Sequence, residues 1–268
     1  MGGKALDGVV KINQTDIPAT VKDLENKILN KLGKLKRGID WDLGGSALKK
    51  STPSGDLDII INQHLLKTKG KSELDYLAYI AKLHGLAYKI FKGLGVVSVA
   101  FPIHKSKDKV QLDLMPTDNI EFTKWSYFSP YERETKFKEK MGTYRTEFLK
   151  AIASECQKEI INNFTIRRLT LSPDRGLSRK TFSYVGKKGN MLKNPVEING
   201  KLVSKDPNKI IKILLGSKAT IKDTISFETI YNKMNSDDFP YKDKIDVIKK
   251  NLIERYNERG MKIPEELK

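Results

Sequence analysis

The feature that most restricts the fold is a short segment in which two acids precede an unbroken apolar run, Asp56-Leu57-Asp58-Ile59-Ile60-Ile61. Such a run predicts a strand that enters a hydrophobic core. Side chains alternate along a strand, so Asp56 and Asp58 point to the same face. Two carboxylates side by side at the mouth of a buried strand repel each other unless a cation neutralises them. Oxygen ligands of this kind suit Mg²⁺ or Mn²⁺.

A second apolar segment repeats the pattern with one acid, Val110-Gln111-Leu112-Asp113-Leu114-Met115. If this strand lies beside the first, three carboxylates converge, and three carboxylates can hold two divalent ions. In such a site one ion activates the attacking oxygen and the other stabilises the leaving group. Asp-x-Asp taken alone is frequent by chance and often belongs to a solvated turn. The third acid makes the combination more specific.

A glycine-serine turn and two lysines lie just upstream of the acid pair. Glycine at position 45 allows a phosphate to approach the backbone, and the hydroxyl of Ser46 and nearby N–H groups can donate to it. Lys49 and Lys50 stand in the polar turn that follows and are well placed to meet a triphosphate. We therefore predict that Gly45, Ser46, Lys49 and Lys50 bind a nucleotide.

Together these residues resemble the active-site motif of the DNA polymerase β superfamily of nucleotidyltransferases. That motif is a Gly-Gly or Gly-Ser turn, an Asp-x-Asp pair on the next strand and a third Asp on a later strand. The matching positions are Gly45, Ser46, Asp56, Asp58 and Asp113. The surrounding residues look more like archaeal-type CCA-adding enzymes and poly(A) polymerases, and residues 1–6 and 205–228 resemble nucleotidyltransferase-like proteins carried by bacteriophages. The superfamily resemblance covers roughly residues 15–116.

The resemblance implies a fold and a reaction. The expected fold is a nucleotidyltransferase palm, a mixed sheet with helices on one face. Asp56 and Asp58 would bind two Mg²⁺ or Mn²⁺ ions, and Asp113 would complete the catalytic metal site and help to activate an acceptor hydroxyl. Gly45 and Ser46 would hold the triphosphate. The reaction would transfer a nucleoside monophosphate from a nucleoside triphosphate and release pyrophosphate.

The pattern along the rest of the chain predicts an α+β protein with two domains. Residues 1–130 form the predicted nucleotidyltransferase domain, in which helices pack on a mixed sheet. Residues 131–268 form a predicted basic α/β domain, with a helix over 143–161, basic strands and turns over 166–200, and helices after residue 207. Cys156 lies on the apolar side of its helix and is expected in the core, as are Trp41 and Trp125. A base-stacking surface over residues 125–128 is the alternative for Trp125.

The net charge of +17 is unevenly distributed. Residues 1–60 contain ten Lys or Arg and eight Asp or Glu, whereas residues 161–220 contain thirteen and three. This clustering favours contact with a polyanion over a role in solubility alone. The predicted nucleic-acid contacts are Arg167, Arg168, Arg175, Arg179, Lys180, Lys187 and Lys188.

We expect nucleotides to be added to a nucleic-acid acceptor without a template. RNA is favoured over DNA, and the 3′ end of a tRNA is one candidate. Two alternatives stay open: transfer to a protein hydroxyl (AMPylation-like) or to DNA, and a non-catalytic nucleic-acid-binding protein. No apolar run approaches the roughly 20 residues of a membrane span, so no membrane partner is expected. One cysteine and the lack of a secretory pattern predict a cytoplasmic protein, in a bacterial host if a phage encodes it.

Overall fold

A computed structural model describes residues 5–33, 35–45, 53–66, 68, 70–127, 142–186 and 188–268. The chain divides into two compact units, Met1–Pro130 and Tyr131–Lys268. Each unit combines helices with its own β-sheet. The protein is therefore a mixed α+β chain, as its sequence predicts. The functions assigned to the two predicted domains stay predictions.

The first unit contains a five-stranded mixed sheet in the order β1-β2-β5-β4-β3. β2 and β5 are parallel neighbours, and the other neighbouring pairs are antiparallel. The strands are β1 (Trp41–Gly44), β2 (Asp56–Asn62), β3 (Tyr88–Phe91), β4 (Val96–Pro102) and β5 (Lys109–Thr117). Pro116 lies inside β5, paired in register with Ile61.

Among the described residues, four α-helices accompany this sheet. Ser72 begins the third of them, where its hydroxyl accepts a hydrogen bond from the backbone N–H of Asp75. The helices are α1 (Ile17–Leu24), α2 (Asn30–Gly33), α3 (Glu73–Leu83) and α4 (Ile120–Tyr127), and a π-helical turn over Glu25–Leu29 joins the first two.

The two faces of the sheet differ in chemistry. On one face, the apolar alternate residues of β2 share a buried core with side chains of α1 and α3; this set includes Leu57, Ile59 and Ile61. The other face carries the acids. α4 packs on that second face, since its Lys124 Nζ lies 2.5 Å from Asp42 Oδ2 on β1. The expectation of helices on one face thus holds for α1 and α3, whereas α4 lies on the other.

The second unit contains a four-stranded antiparallel sheet in the order β6-β7-β8-β9. Its strands are β6 (Glu159–Asn162), β7 (Thr165–Ser172), β8 (Gly176–Val185) and β9 (Met191–Ser204). Its helices are α5 (Thr143–Cys156), α6 (Pro207–Leu215), α7 (Phe227–Met234) and α8 (Ile245–Glu258). Phe148 of α5 packs on Phe227 of α7 with ring centroids 5.2 Å apart.

The predicted helix over 143–161 was wrong in its last turn. α5 ends at Cys156, and Glu159–Asn162 forms β6. Ile160, which lies inside the range of the predicted helix, is 77% exposed. The pairing of Glu159 and Ile160 with β7 outweighs the helical spacing of this short segment. Other expectations about burial are confirmed, because Trp41, Trp125 and Cys156 are all buried. In the part of the chain that the structure describes, no helix has the length and apolar character to cross a membrane.

Candidate metal and nucleotide site

Strand register brings the predicted acids of the first unit together. Asp58 of β2 lies directly opposite Asp113 of parallel β5. Asp56 precedes Asp58 by two residues, so all three carboxylates are on one face of two adjacent strands. The same row continues on both sides, with Gly44 opposite Asp58 and Ser98 opposite Asp113. The predicted neighbourhood of the two acidic strands is therefore present.

Asp113 is held in place by two hydrogen-bond donors. Ser98 Oγ donates to Asp113 Oδ1 over 2.6 Å, and Gln111 Nε2 donates to the same oxygen over 2.9 Å. The backbone N–H of Ala5 donates to Gln111 Oε1 over 2.8 Å. This third bond fixes which end of the amide faces the acid. Gln111 and Ser98 are 0% and 1% exposed, so both donors are built into the sheet.

Asp58 lies on the opposite side of the row, against the glycine turn. Gly45 has φ +58°, and a Cβ atom built on it would stand 1.7 Å from Asp58 Oδ2. A side chain at position 45 would therefore occupy the place of the carboxylate. The glycine is required by the left-handed backbone and by the close approach of the acid. The other predicted nucleotide contacts, Ser46, Lys49 and Lys50, lie outside the described residues.

Burial and mutual repulsion make this face unfavourable for negative charge. Burial raises the pKa of Asp58 from 3.8 to about 7, and the nearby carboxylates of Asp56 and Asp113 add to the rise. Asp56 and Asp113 are themselves buried, at 8% and 7% exposure. Asp42 on the same face is paired with Lys124. A cation beside Asp58 would reduce the repulsion between its carboxylate and its acidic neighbours, in the way that Lys124 neutralises the charge of Asp42.

The carboxylates of this face are chemically suitable ligands for a hard divalent cation, although their present arrangement does not provide a set of three ligands. Among the described residues, no group of three or more His, Cys, Asp or Glu side chains is arranged to hold a metal ion. Asp58 lies against Gly45, and Asp113 is hydrogen-bonded on the side of Ser98. Carboxylate oxygens remain the ligands that Mg²⁺ and Mn²⁺ prefer.

Sequence reasoning missed three parts of this face. Gln111 and Ser98 are polar residues that interrupt apolar runs, and that is the signal that could have identified them. Gln111 also precedes Asp113 by two residues, which places it on the same face. The Asp42–Lys124 pair has no such signal, because its partners are 82 residues apart.

The seven predicted nucleic-acid contacts of the second unit do not form one patch. Arg167 and Arg179 lie on one face of the sheet, and Arg168 and Lys180, which are paired in register, lie on the other. The two remaining described residues, Arg175 and Lys188, are exposed and lie in the connections between strands. Lys187 lies outside the described residues.

Several of these cations already have partners within the sheet. Lys180 Nζ lies 2.6 Å from Glu197 Oε2. Arg168 is placed over the ring of Phe182 at 4.8 Å, and burial lowers its pKa. These two side chains therefore pack within their own unit. Sequence reasoning also missed Lys201, which is paired in register with Arg179 and lies on its face of the sheet.

Comparison with known proteins adds no family to this description, since the sequence matches no protein-family model and no curated protein. The site must therefore be interpreted from its own residues.

Proposed function

We propose that the first unit is a nucleotidyltransferase palm that transfers a nucleoside monophosphate from a nucleoside triphosphate to an acceptor hydroxyl and releases pyrophosphate. The observation that carries this proposal is the register of the two acidic strands. Asp58 is opposite Asp113 on parallel neighbours, with Asp56 on the same face. Three carboxylates crowded on one sheet face are costly without a cation, and they suit chemistry that uses two divalent ions.

In this proposal Asp56, Asp58 and Asp113 hold two Mg²⁺ or Mn²⁺ ions. When bound, such ions neutralise charge on the transferring phosphoryl group and lower the pKa of the attacking oxygen. Among the described residues, both donors to Asp113 reach Oδ1, so its Oδ2 is the oxygen we assign to a cation. Ser98 and Gln111 keep that carboxylate in one orientation.

The glycine turn has two tasks in this proposal. Gly45 admits the carboxylate of Asp58, because any side chain at that position would overlap it. The turn that follows, which includes Ser46, Lys49 and Lys50, would then receive the triphosphate, since hydroxyl, N–H and ammonium groups neutralise phosphate oxygens.

We further propose that the acceptor is a nucleic acid, with RNA favoured over DNA. The support is the charge distribution, since residues 161–220 contain thirteen Lys or Arg and three Asp or Glu. A protein hydroxyl would not require that concentration of positive charge. Transfer to DNA or to protein, and nucleic-acid binding without catalysis, are the outcomes that a transfer assay must separate.

The test is an incorporation assay with a matched acidic control. The purified protein is incubated with Mg²⁺ or Mn²⁺, with each α-labelled nucleoside triphosphate in turn, and with pooled tRNA, DNA or protein acceptors. We expect label in RNA, complete loss with Asp58→Asn, and retention with Asp42→Asn, which makes the same change on the same face at an acid paired with Lys124. Full activity in Asp58→Asn would contradict the site, and label in protein would reassign the acceptor. If the wild-type protein incorporated no label under any of these conditions, the proposal that it is a nucleotidyltransferase would be refuted.

A further inference from the structure

The second unit has a groove on one face of its sheet that is lined by cations from three strands. Its volume is about 350 Å³, and it is lined by Arg167, Arg179, Thr181, Asn199, Lys201, Leu202 and Val203. No acid lines it. The register explains the grouping, because Arg179 of β8 is opposite Lys201 of β9, and Thr181, two residues later on β8, is opposite Arg167 of β7. All three cations therefore lie on one face.

The contacts within the sheet leave most of the donor capacity of these cations unused. Arg179 donates one hydrogen bond to Gln157 Oε1 over 2.6 Å, and Arg167 donates one to Glu159 Oε2 over 3.2 Å. A guanidinium has five N–H donors, so each of these bonds orients the group and leaves other N–H donors for a ligand. Lys201 is exposed, and none of the described carboxylates lies within ion-pair distance of it. These cations do not form a closed network of internal ion pairs.

The spacing of the cations favours a chain of phosphates over a single anion. Directly opposite residues on adjacent strands are about 5 Å apart, and diagonal ones are about 7–8 Å apart. Arg179 and Lys201 are opposite, and Arg167 is diagonal to Arg179. Their row thus crosses three strands obliquely. Successive phosphates of one nucleic-acid strand could each meet a cation along such a row.

The remaining lining residues favour a single strand over a duplex. Thr181 and Asn199 place polar groups between the cations, and Leu202 and Val203 add apolar surface. Apolar side chains can contact base faces only where the bases are not stacked inside a helix. We propose that this groove, defined by Arg167, Arg179 and Lys201 with its polar and apolar lining, binds the backbone of single-stranded RNA. As the place of the acceptor it rests on the proposed function, whereas the binding itself does not.

The test measures anisotropy of a fluorescein-labelled 20-nucleotide poly(U) RNA over 50–200 mM KCl. Arg179→Gln combined with Lys201→Gln removes two groove cations. The control, Lys193→Gln combined with Lys218→Gln, removes the same charge from two exposed lysines of the same unit that do not line the groove. Each phosphate contact on a single strand contributes about 0.7 to the salt slope. We expect the groove variant to lose about 1.4 in slope and about 10- to 60-fold in affinity at 50 mM KCl, and the control to bind within about twofold of wild type.

Other results would overturn the groove assignment. Equal weakening by both double variants would mean that net charge alone drives binding, and wild-type affinity in the groove variant would place the RNA elsewhere. Equal affinity for an RNA duplex would overturn the single-strand assignment. Asp58→Asn should bind RNA as tightly as wild type, so failure of the groove and failure of the transfer reaction are distinguishable. Circular dichroism of each variant confirms that it is folded.

Discussion

Removing the charge of Asp58 should stabilise the metal-free protein at high pH. Burial and two neighbouring carboxylates raise the pKa of this carboxyl from 3.8 to about 7. Between those two pH values the folded state holds a proton that the unfolded chain has released. The contribution of Asp58 to the free energy of unfolding therefore decreases as pH rises through this window and is lowest above pH 7. Asp58→Asn removes the titrating carboxyl group. The variant should therefore show no gain in the free energy of unfolding over wild type at pH 4 and its full gain at pH 8.

The size of the effect follows from the same pKa difference. One pKa unit corresponds to about 1.4 kcal/mol, so ionising Asp58 destabilises the folded state by at most about 4 kcal/mol. Solvent reaches part of this side chain and screens its charge. We therefore expect Asp58→Asn to raise the free energy of unfolding by about 1–3 kcal/mol at pH 8 without metal. Mg²⁺ should stabilise the wild-type protein and have little effect on the variant.

Urea unfolding followed by tryptophan fluorescence is the appropriate assay. The protein has two tryptophans, Trp41 and Trp125, and both belong to the first unit, so their emission reports on the unit that contains the site. Measurements at pH 4 and pH 8 in EDTA give the comparison. Asp42→Asn is the control, and it should destabilise, because it breaks the pair with Lys124. If Asp58→Asn gave no gain at pH 8, or the same gain at both pH values, crowding of the carboxylates would be refuted.

Two further predictions concern the neighbours of the acids. Gly45→Ala should abolish transfer and destabilise more than Gly95→Ala. Both glycines have φ near +60°, but only at position 45 does the new Cβ meet Asp58. Gly95→Ala is therefore the control, and it should transfer at the wild-type rate. Gln111→Met keeps the volume and removes the donor to Asp113, so Mn²⁺ binding measured by electron paramagnetic resonance should weaken about 10- to 100-fold. Unchanged Mn²⁺ affinity would show that Gln111 has no role in positioning the acid.

The sequence was sufficient to predict the elements that depend on local pattern. The apolar run after Asp58 and the lone acid at Asp113 both predicted buried strands, and the structure pairs these two residues on adjacent strands. Strand alternation also placed Asp56 correctly on the same face. These features follow from the two-residue alternation of side chains along a strand, which can be recognised from a few residues of sequence.

The rest depends on contacts between distant segments, which a local pattern does not contain. Ser98 reaches Asp113 only because β4 pairs with β5 in one particular register. The same limit explains why the basic residues of the second unit, which cluster in the sequence, do not form one patch. Neighbours in sequence such as Arg167 and Arg168 point to opposite faces of a strand, so a cluster in sequence is divided in space, whereas Arg179 and Lys201 come together across strands.

The relation between Gly45 and Asp58 changes the interpretation of the glycine turn. Glycine before an acidic strand predicted a phosphate-binding backbone, yet the group that fills the space beside Gly45 is the carboxylate of Asp58. In this position Oδ2 of Asp58 is directed toward Gly45. A rotamer of Asp58 directed away from Gly45 would vacate the space beside the glycine. If Asp58 holds a cation as proposed, metal binding and the space available beside Gly45 would be coupled, because both depend on the position of this one side chain.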